Sequence, residues 1–386
     1  MASSNTPATL MLVPDLPVAD EWRQAAAHHQ PVVPVRVRPG PLAADAPTPD
    51  HDGVYTLTRP RLWARRYRRE AAHRLDAAVL TRLVDHLAGS GIEITVAHGH
   101  FAASSSGLPG LRSRRDIPFV VSEHSSALTF DNPDKVISSG GLRTAHSVYT
   151  AADRVLPVNV ALREAIARRG LASPNDMTVL ANPVDTKTFR PAPADRRDGR
   201  VVTVARLVGV KRLDLMIEAL AMVTGDNASI TLHIVGDGPE RGRLVEQVRA
   251  RGLGQRVVFH GRLDRPAVAD VLRTASVFAL SSHTENLPVA ALEAMASGLP
   301  VVAPAVGGLT ELLADAPGQL YEPGNPAELA NALIRWIGAD EKTRGSARHV
   351  AESRYSVATI GAQLSTIYSD AIARRSRPVL TRSSKG

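Results

Sequence analysis

Two glutamates stand eight positions apart in the stretch SSHTENLPVAALEAMASGLPVVAP. Pro288 lies between them and suits the first turn of a helix, where its missing N–H costs nothing. Gly298 suits the end of that helix, so we predict a helix over 288–297. The free backbone N–H groups and the dipole at a helix start form a site for an anion. Glu285 lies just before this site, and Glu293 lies inside the helix.

The spacing of these two acids favours the binding of hydroxyl groups. At a rise of about 1.5 Å per residue, the carboxylates are separated by up to about 12 Å. That is too far for the paired carboxylates of a retaining glycosidase, which stand roughly 5 Å apart. It fits the ribose hydroxyls, diphosphate and hexose hydroxyls of a nucleotide-diphosphate sugar, because carboxylates accept hydrogen bonds from hydroxyls. A helix with one acid before it and one on its surface explains the same pattern equally well.

A pair of cations lies in VARLVGVKR, at the end of an earlier strand predicted in RVVTVARL. Arg206 and Lys211 lie on either side of a short loop that contains Gly209. Arginine binds a diphosphate as a planar fork and lysine binds it as a point charge. The alternative is a solvated pair at the start of a helix.

Two glycines follow the next strand in VGDGPER. The dinucleotide fingerprint needs a third glycine three positions after Gly238, but Arg241 stands there, which disfavours a nicotinamide-dependent oxidoreductase. Gly236 and Gly238 could still let a ligand approach the backbone closely, so we place Gly236 among the donor-binding candidates.

Two polar residues follow strands in the first half of the chain: His124 in PFVVSEH and Asn182 in VLANP. A structural role explains His124 about as well as a catalytic one, and turn chemistry explains Asn-Pro. His98 and His100 have no third ligand at metal spacing, so no metal and no cofactor are expected.

The elements around these residues predict an α/β fold. From residue 200 onward, short apolar runs alternate with helical periods, which indicates βαβ units and a doubly wound parallel sheet. The first half shows the same pattern less regularly, with strands near 10–13, 32–37, 92–97, 119–121 and 154–157 and a long helix near 61–87. A proline-rich linker spans 189–199. We therefore predict two Rossmann-like domains, 1–190 and 200–355, and a last helix over 356–374, with ligands bound in a cleft at the carboxyl ends of the strands.

Composition limits the classes of partner. The chain has no cysteine, no basic n-region at its N-terminus and no apolar run of about 18 residues, so we expect a cytoplasmic protein. The net charge is +8, and arginines crowd into RPRLWARRYRRE. Arg61–Arg69, with Trp63 and Tyr67 four apart, could contact an anionic membrane surface, although a solvated helix face is the simpler interpretation. Signatures of nucleic-acid binding are absent.

Several stretches, taken in order, resemble a known family. VARLVGVKR, LHIVGDGPER, VVFHGRL, ENLPVAALEAMASGLPVVAPAVGGLTELL and YEPGNPAELANAL resemble the C-terminal domain of family 4 retaining glycosyltransferases of the GT-B fold. IPFVVSEH, ADRVLPVNVALREAI and VLANPVDTKTFRP resemble the later part of the N-terminal domain. The resemblance covers about residues 92–372.

The resemblance implies a role for each candidate residue. It places Arg206 and Lys211 on the donor diphosphate, Glu293 on the ribose hydroxyls, and Glu285 and His124 at the transferred sugar. It further implies that the backbone of Gly261, Arg262 and Leu263 reads the base. The backbone of Asn286, Leu287, Pro288 and Val289 would lie beside the sugar. Asn182 and Asp15 would lie on the acceptor side.

Departures from the family pattern concern three places. Ala205 stands where the family has glycine before the arginine, and Asn286 stands where glycine is common. The loop after the first strand, VPDLPVADEW, contains Asp15 but none of the glycines usual there. We therefore expect the acceptor side to differ from that of other members.

The resemblance implies a metal-independent retaining glycosyltransferase that uses a nucleotide-diphosphate sugar, with a UDP-sugar favoured, and a hydroxyl of a small molecule or glycan as acceptor. The Ala- and Arg-rich composition favours a bacterial source and natural product biosynthesis. A membrane-associated lipid glycosyltransferase, a nucleotide-sugar epimerase or phosphorylase on the same fold, and a non-enzymatic sensor of nucleotide sugars are the alternatives.

Overall fold

The computed structural model of the chain describes residues 5–12, 19–39, 47–59, 68–129, 137–191, 199–223 and 229–376. Asp15 lies outside these residues, as do 61–67 in the arginine-rich stretch and the basic tail after residue 376. The acceptor-side role of Asp15 and the membrane contact through Arg61–Arg69 therefore stay predictions.

The chain divides into two compact units. The first unit contains the described residues of Met1–Val158, Arg163–Leu180 and Ile360–Gly386, and the second contains those of Asn159–Leu162 and Ala181–Thr359. Residues 181–190, which the sequence groups with the first domain, cluster with the second unit. Hydrogen bonds to the second unit explain this, because the N–H of Val184 donates to the Tyr355 carbonyl at 2.8 Å and the Arg348 guanidinium donates to the Phe189 carbonyl at 2.6 Å.

A six-stranded sheet forms the centre of the first unit. Its strands are β1 (Thr6–Leu12), β2 (Val32–Pro39), β3 (Tyr55–Arg59), β4 (Ile92–His100), β5 (Phe119–Glu123) and β6 (Arg154–Pro157). They pair in parallel in the order β3-β2-β1-β4-β5-β6. All five residues of β5 are buried, as expected of a parallel strand covered on both faces.

The helices of the first unit lie between these strands or follow them. They are α1 (Ala19–Ala26), α2 (Arg68–Gly89), α3 (Leu108–Arg115), α4 (Ser139–Ala151) and α5 (Val160–Arg168), whose first residues belong to the second unit. On α2, Ala77, Leu80, Val84 and Leu87 are buried at helical spacing. Of the helix predicted over 61–87, the part from Arg68 is confirmed, and 61–67 lies outside the described residues.

The second unit repeats the same topology. Its strands are β7 (Arg200–Val204), β8 (Thr231–Val235), β9 (Val257–Gly261), β10 (Val277–Ala279), β11 (Val301–Pro304) and β12 (Gly318–Tyr321). The parallel order is β12-β11-β10-β7-β8-β9. In each sheet the chain starts at an inner strand, builds outward and then crosses back. The switch points therefore lie between β1 and β4 and between β7 and β10, where α/β sheets bind ligands.

The helices of the second unit cover its sheet. They are α6 (Leu213–Met222), α7 (Arg241–Ala250), α8 (Arg265–Arg273), α9 (Val289–Ala296), α10 (Gly308–Leu312), α11 (Pro326–Trp336) and α12 (Glu341–Val350), followed by a π-helix (Ala351–Tyr355) and by α13 (Val357–Ser376), which joins the first unit from Ile360. The fully buried Met216 and Ile217 of α6 share a hydrophobic core with Leu329 of α11. The α/β fold with two doubly wound sheets is thus confirmed. No described helix is long and apolar enough to span a membrane.

Several elements were not predicted individually from the sequence, among them β3, β12 and α12. β3 is an edge strand with the polar sequence YTLTR, β12 has only four residues, and α12 carries mostly polar residues. α12 is held by a cap, since Asp340 accepts from the Thr343 N–H, and by buried Arg344, whose guanidinium donates to the Ser276 carbonyl at 3.1 Å. These three elements lack the periodic pattern of apolar residues from which a strand or helix can be predicted.

The packing of α13 within the first unit can be tested by shortening one of its buried side chains and measuring the free energy of unfolding. Ile360, Leu364, Tyr368 and Ala371 form its buried stripe, and Leu364 has no exposed surface. Leu364→Ala should lower the free energy of unfolding of the first unit by about 2–5 kcal/mol, since it leaves a cavity. Gln363→Ala, on the exposed side of the same helix, should change it by less than about 0.5 kcal/mol. Urea unfolding followed by circular dichroism measures both, and equal effects would contradict this packing.

Candidate functional site

An ion pair joins the loops that follow β7 and β10, at the switch point of the second sheet. The Lys211 ammonium donates to Oε1 of Glu285 at 2.5 Å. The Ser282 hydroxyl donates to the same oxygen at 2.7 Å. The Ser281 hydroxyl donates to the Lys211 carbonyl at 3.0 Å, and the His283 N–H donates to the Val210 carbonyl at 2.8 Å. These contacts fix one loop on the other.

Glu285 is a nearly buried acid, with 7% of its surface exposed. A buried carboxylate needs a charged or hydrogen-bonding partner, and Lys211 and Ser282 supply both. The backbone beside it is equally confined, because a Cβ at Gly307 would lie 1.9 Å from the Glu285 carbonyl oxygen and one at Gly308 would lie 2.0 Å from that of Asn286. Only glycines at these two positions allow the loop after β11 to press on the acid-bearing loop.

Arg206 lies on the same loop as Lys211 but is exposed, whereas its neighbour Leu207 is fully buried and anchors the loop. The structure therefore places both predicted cations after β7. It pairs Lys211 with the predicted sugar-binding acid and leaves the Arg206 side chain on the surface.

α9 begins directly after Pro288, close to the predicted start, and Gly298 adopts φ +78° after its end. No side chain caps its first turn among the described residues. The N–H groups of Val289 and Ala290 are thus available in the way that an anion site requires. Asn182 supports this start, since its buried amide donates to the Leu287 carbonyl at 3.0 Å. Sequence reasoning placed Asn182 on the acceptor side, and its observed partner is the backbone beside Glu285.

Glu293 forms the second ion pair of the site. It is 6% exposed on α9 and lies 3.0 Å from Nη1 of Arg265, whose guanidinium also covers the Phe189 ring at 5.1 Å. Sequence reasoning missed Arg265. The available signal was its position at the start of a helix, two residues after the stretch Gly261–Leu263 that was predicted to read the base.

The base-side candidates differ in exposure. Arg262 is exposed and Leu263 is half-buried. Gly261 has φ +68°, and no atom lies within 4 Å of the position that a Cβ would occupy. The backbone is therefore open on this side, as access by a ligand requires.

Gly236 and Gly238 have a packing role that the sequence did not show. A Cβ at Gly236 would lie 1.9 Å from the Ala205 carbonyl oxygen, and one at Gly238 would lie 2.4 Å from that of Leu207. The space beside both glycines is filled by the loop after β7, which carries Arg206 and Lys211. Contact of Gly236 with a donor stays a prediction.

His124 follows β5 in the first unit, where a buried glutamate organises its loop. Oε1 of Glu123 accepts from the N–H groups of His124 and Ser125 at 3.0 and 2.8 Å. Oε2 accepts from the Ala102 N–H at 3.1 Å and from the Tyr149 hydroxyl at 2.5 Å. Burial, followed by the Glu123 charge, raises the pKa of Tyr149 well above its usual range, so the phenol keeps its proton.

Three histidines stack at the ends of β4 and β5. His98 and His100 lie 4.4 Å apart between ring centroids, and His100 and His124 lie 5.3 Å apart. His98 is hydrogen-bonded at both nitrogens, to the Tyr368 hydroxyl at 2.6 Å and to the Ser122 hydroxyl at 2.9 Å. Burial lowers the pKa of His98 to about 3 and that of His100 well below its usual range. Across the described part of the chain, no three His, Cys, Asp or Glu side chains are grouped to hold a metal ion.

Comparison with known families gives two consecutive matches. A family model described as Glycosyltransferase Family 4 matches residues 22–188, and one described as Glycosyl transferases group 1 matches residues 184–352. Together they cover residues 22–352, from within α1 to just past α12.

Relatives are 27–31% identical to the chain over the aligned regions. An alpha-D-kanosaminyltransferase of Streptomyces kanamyceticus is 28% identical over 328 residues, 80% of this chain and 81% of that protein. A D-inositol 3-phosphate glycosyltransferase of Thermobispora bispora is 27% identical over 74% of this chain and 72% of its own length. One subunit of the phosphatidylinositol N-acetylglucosaminyltransferase of Arabidopsis thaliana is 31% identical over 64% of this chain, and the chain spans only 55% of its length.

Solved structures show the same fold. Sucrose-phosphate synthase from Thermosynechococcus elongatus has a TM-score of 0.76 at 21% identity, over 96% of this chain and 100% of that one. Anabaena HepE in complex with UDP and glucose has a TM-score of 0.72 at 21% identity, over 95% and 100% of the two chains. The chain therefore has the GT-B fold, as the sequence predicted.

The packing role of Gly236 can be separated from its backbone angle, because Gly261 also has a positive φ but open space beside it. Gly261→Ala should lower the free energy of unfolding by about 1–2 kcal/mol through its φ alone. Gly236→Ala, at φ +129°, must also displace the Ala205 carbonyl and should cost more. Thermal unfolding of the two variants compares them, and an equal or smaller loss for Gly236→Ala would contradict the packing role.

Proposed function

Since the chain belongs to the family 4 glycosyltransferases, with a group 1 glycosyltransferase domain in its second half, we propose that it transfers a sugar with retention of configuration. The proposed donor is a nucleotide-diphosphate sugar, in the first place a UDP-sugar. The proposed acceptor is a hydroxyl group of a small molecule or glycan.

The Lys211–Glu285 pair beside the uncapped start of α9 is the observation that carries this proposal. When the bond to the sugar breaks, the departing diphosphate gains negative charge. Lys211, Arg206 and the N–H groups of Val289 and Ala290 supply fixed positive potential where that charge develops. The same groups make a metal unnecessary for charge neutralisation, so we propose a metal-independent reaction.

Both predicted acids are held by cations before a donor arrives, Glu285 by Lys211 and Glu293 by Arg265. Each carboxylate keeps acceptor capacity for sugar hydroxyls. In the proposed complex, Lys211 turns toward the diphosphate while hexose hydroxyls donate to Glu285, and ribose hydroxyls donate to Glu293. The roles proposed for Glu285 and Glu293 as acceptors of hydroxyl hydrogen bonds leave neither of them to attack the anomeric carbon. We therefore propose same-face substitution rather than a covalent intermediate.

Relatives support a small polar acceptor. Two of them, from Streptomyces kanamyceticus, carry the names alpha-D-kanosaminyltransferase and 2-deoxystreptamine glucosyltransferase. The structural neighbour HepE was solved with UDP and glucose and with UDP-glucose. We propose accordingly that this chain glycosylates a soluble natural product in a bacterial cytoplasm.

A lipid acceptor is the second candidate. One relative is named as part of a phosphatidylinositol N-acetylglucosaminyltransferase. The sequence Arg61–Arg69 is rich in arginine, a composition that favours anionic headgroups. A donor-and-acceptor screen read by mass spectrometry, with and without EDTA, decides between the candidates. The proposal expects transfer to a soluble hydroxyl compound in both conditions. Transfer only to lipid, with tight and salt-sensitive binding to liposomes, would favour the second candidate. Isomerised donor without any acceptor would identify an epimerase.

Charge at the switch point should be essential for transfer. Lys211→Met should lower kcat/KM for the donor about 10²–10³-fold, because it removes a group that stabilises the transition state. Glu293→Gln should raise KM for the donor more than it lowers kcat, since it weakens a contact that is present before and during the reaction. The exposed Lys342→Met on α12 is the matched control and should behave as the original protein.

Loss of folding can be separated from loss of chemistry. Lys211→Met leaves Glu285 nearly buried without its cation, so this variant should also be less stable. The double variant Lys211→Met/Glu285→Gln removes both charges and should regain part of that stability without regaining activity. Full activity in both Lys211→Met and Glu293→Gln would overturn the proposed function.

A further inference from the structure

His100 is a fully enclosed side chain to which neither the fold nor the proposed reaction has yet given a role. We propose that it is a positioning residue, which keeps His124 neutral with its proton on Nδ1. This inference rests on the proposed function and on the role that the family resemblance implies for His124, which is to face the transferred sugar.

The two rings meet through one hydrogen bond. Nδ1 of His100 lies 3.0 Å from Nε2 of His124, and the ring planes are inclined by only 16°. His100 is the last residue of β4 and is 1% exposed, whereas His124 follows β5 and is half-buried. One of the two nitrogens carries the shared proton, and the surroundings of His100 decide which.

The surroundings of Nε2, the other ring nitrogen of His100, indicate where its proton lies. Nε2 is buried and has no hydrogen-bond partner within the residues that the structure describes. Burial, followed by the neighbouring His98 and His124, holds the pKa of His100 well below its usual range, so the ring is neutral and carries one proton. Orphaned buried N–H groups are rarer than unsatisfied acceptors. The proton therefore belongs on Nδ1, where it is donated to His124.

This arrangement fixes the proton of His124. Its Nε2 accepts from His100, so a neutral His124 carries its own proton on Nδ1. Protonation at Nε2 would turn the contact into two opposed N–H groups, unless His100 moved its proton to the buried Nε2 that lacks an acceptor. Three other rings lie nearby: His98 stacks on His100, and Trp22 and Phe101 make edge contacts with His124 at 5.8 and 5.1 Å between ring centroids. Glu123 accepts from the His124 backbone N–H.

A neutral donor suits the proposed reaction. Glycosyl transfer builds positive charge on the sugar ring, as in the oxocarbenium-like transition state of glycoside hydrolysis. An imidazolium beside that ring would repel the developing charge, whereas a neutral N–H hydrogen-bonds a sugar hydroxyl without this cost. His98, which is satisfied at both nitrogens, can be explained as structural, and His100 cannot be explained in that way.

The position of the proton can be measured without any substrate. Long-range ¹H–¹⁵N correlation spectra of the full chain with ¹⁵N-labelled histidine distinguish the two tautomers, and the His124→Gln variant assigns the signals. The expected result is a His124 ring with a protonated Nδ1 and a bare Nε2. A His124 ring protonated at Nε2 would overturn the inference.

Titration of variants tests whether His100 is the cause. In the original protein, His124 should stay neutral well below the usual histidine value of about 6.5. His100→Leu removes the donor, and His124 should then titrate nearer that value. His100→Asn keeps an amide donor in place of Nδ1 and should preserve the original titration. An unchanged titration in a folded His100→Leu would contradict the role, as would loss of the neutral state in His100→Asn.

Kinetics distinguish positioning from simple structural support. His100→Leu should lower kcat roughly tenfold as the pH falls below about 6.5, with a smaller change in KM for the donor, and His100→Asn should restore the profile. The matched control is His233→Leu, which breaks a similar stacked pair in the second unit, where Nδ1 of His233 lies 2.9 Å from Nε2 of His260. A uniform loss at every pH would overturn the inference. If the tautomer is as expected but no donor is consumed under any condition, the proposed function fails while the proton position stands.

Discussion

The contact between Lys211 and Glu285 is the interaction on which the donor side depends. A nearly buried carboxylate at a switch point is costly unless a cation accompanies it. Here the cation comes from the loop after β7 and the acid from the loop after β10, so one ion pair holds together the two loops at the point where the sheet reverses its order. Gly307 and Asn182 then hold the neighbouring backbone against the start of α9. The resulting site has a cation, a paired acid and an uncapped helix start on adjoining loops.

In the first unit a buried carboxylate is stabilised by uncharged hydrogen-bond donors instead of by a cation. Glu123 is buried and accepts hydrogen bonds from four donors, three of them backbone N–H groups at the ends of β4 and β5. Its carboxylate therefore shapes the loop after β4 and the loop that carries His124. Because the neighbouring rings are kept neutral by burial, this pocket offers hydrogen bonds rather than charge. The proposed donor site and the surroundings of His124 thus differ in chemistry, since the first has charged groups and the second has neutral hydrogen-bonding groups.

Much of the fold could be predicted because parallel strands buried on both faces leave apolar runs, as in FVVSE and RVVTV. β12 and α12 escaped prediction, since four residues form no period and α12 is held by Asp340 and Arg344 rather than by apolar spacing. At the site, residue types after strands were enough to single out Lys211, Glu285 and His124 as candidates. They could not show which groups pair across loops: Arg265 with Glu293, His100 with His124, or Gly236 against Ala205. Such pairings depend on long-range contacts that a single sequence does not display.

Binding of a diphosphate by this site is the central claim, and isothermal titration calorimetry with UDP and UMP tests it most directly. The two ligands share base and ribose and differ in one phosphate. Charge-assisted hydrogen bonds contribute about 1.5–3 kcal/mol each, and 1.4 kcal/mol corresponds to a tenfold change in Kd. The account predicts that UDP binds at least about tenfold more tightly than UMP, with an advantage that shrinks as ionic strength rises. Equal affinity for the two nucleotides, or no binding of UDP, GDP or any sugar nucleotide, would contradict it.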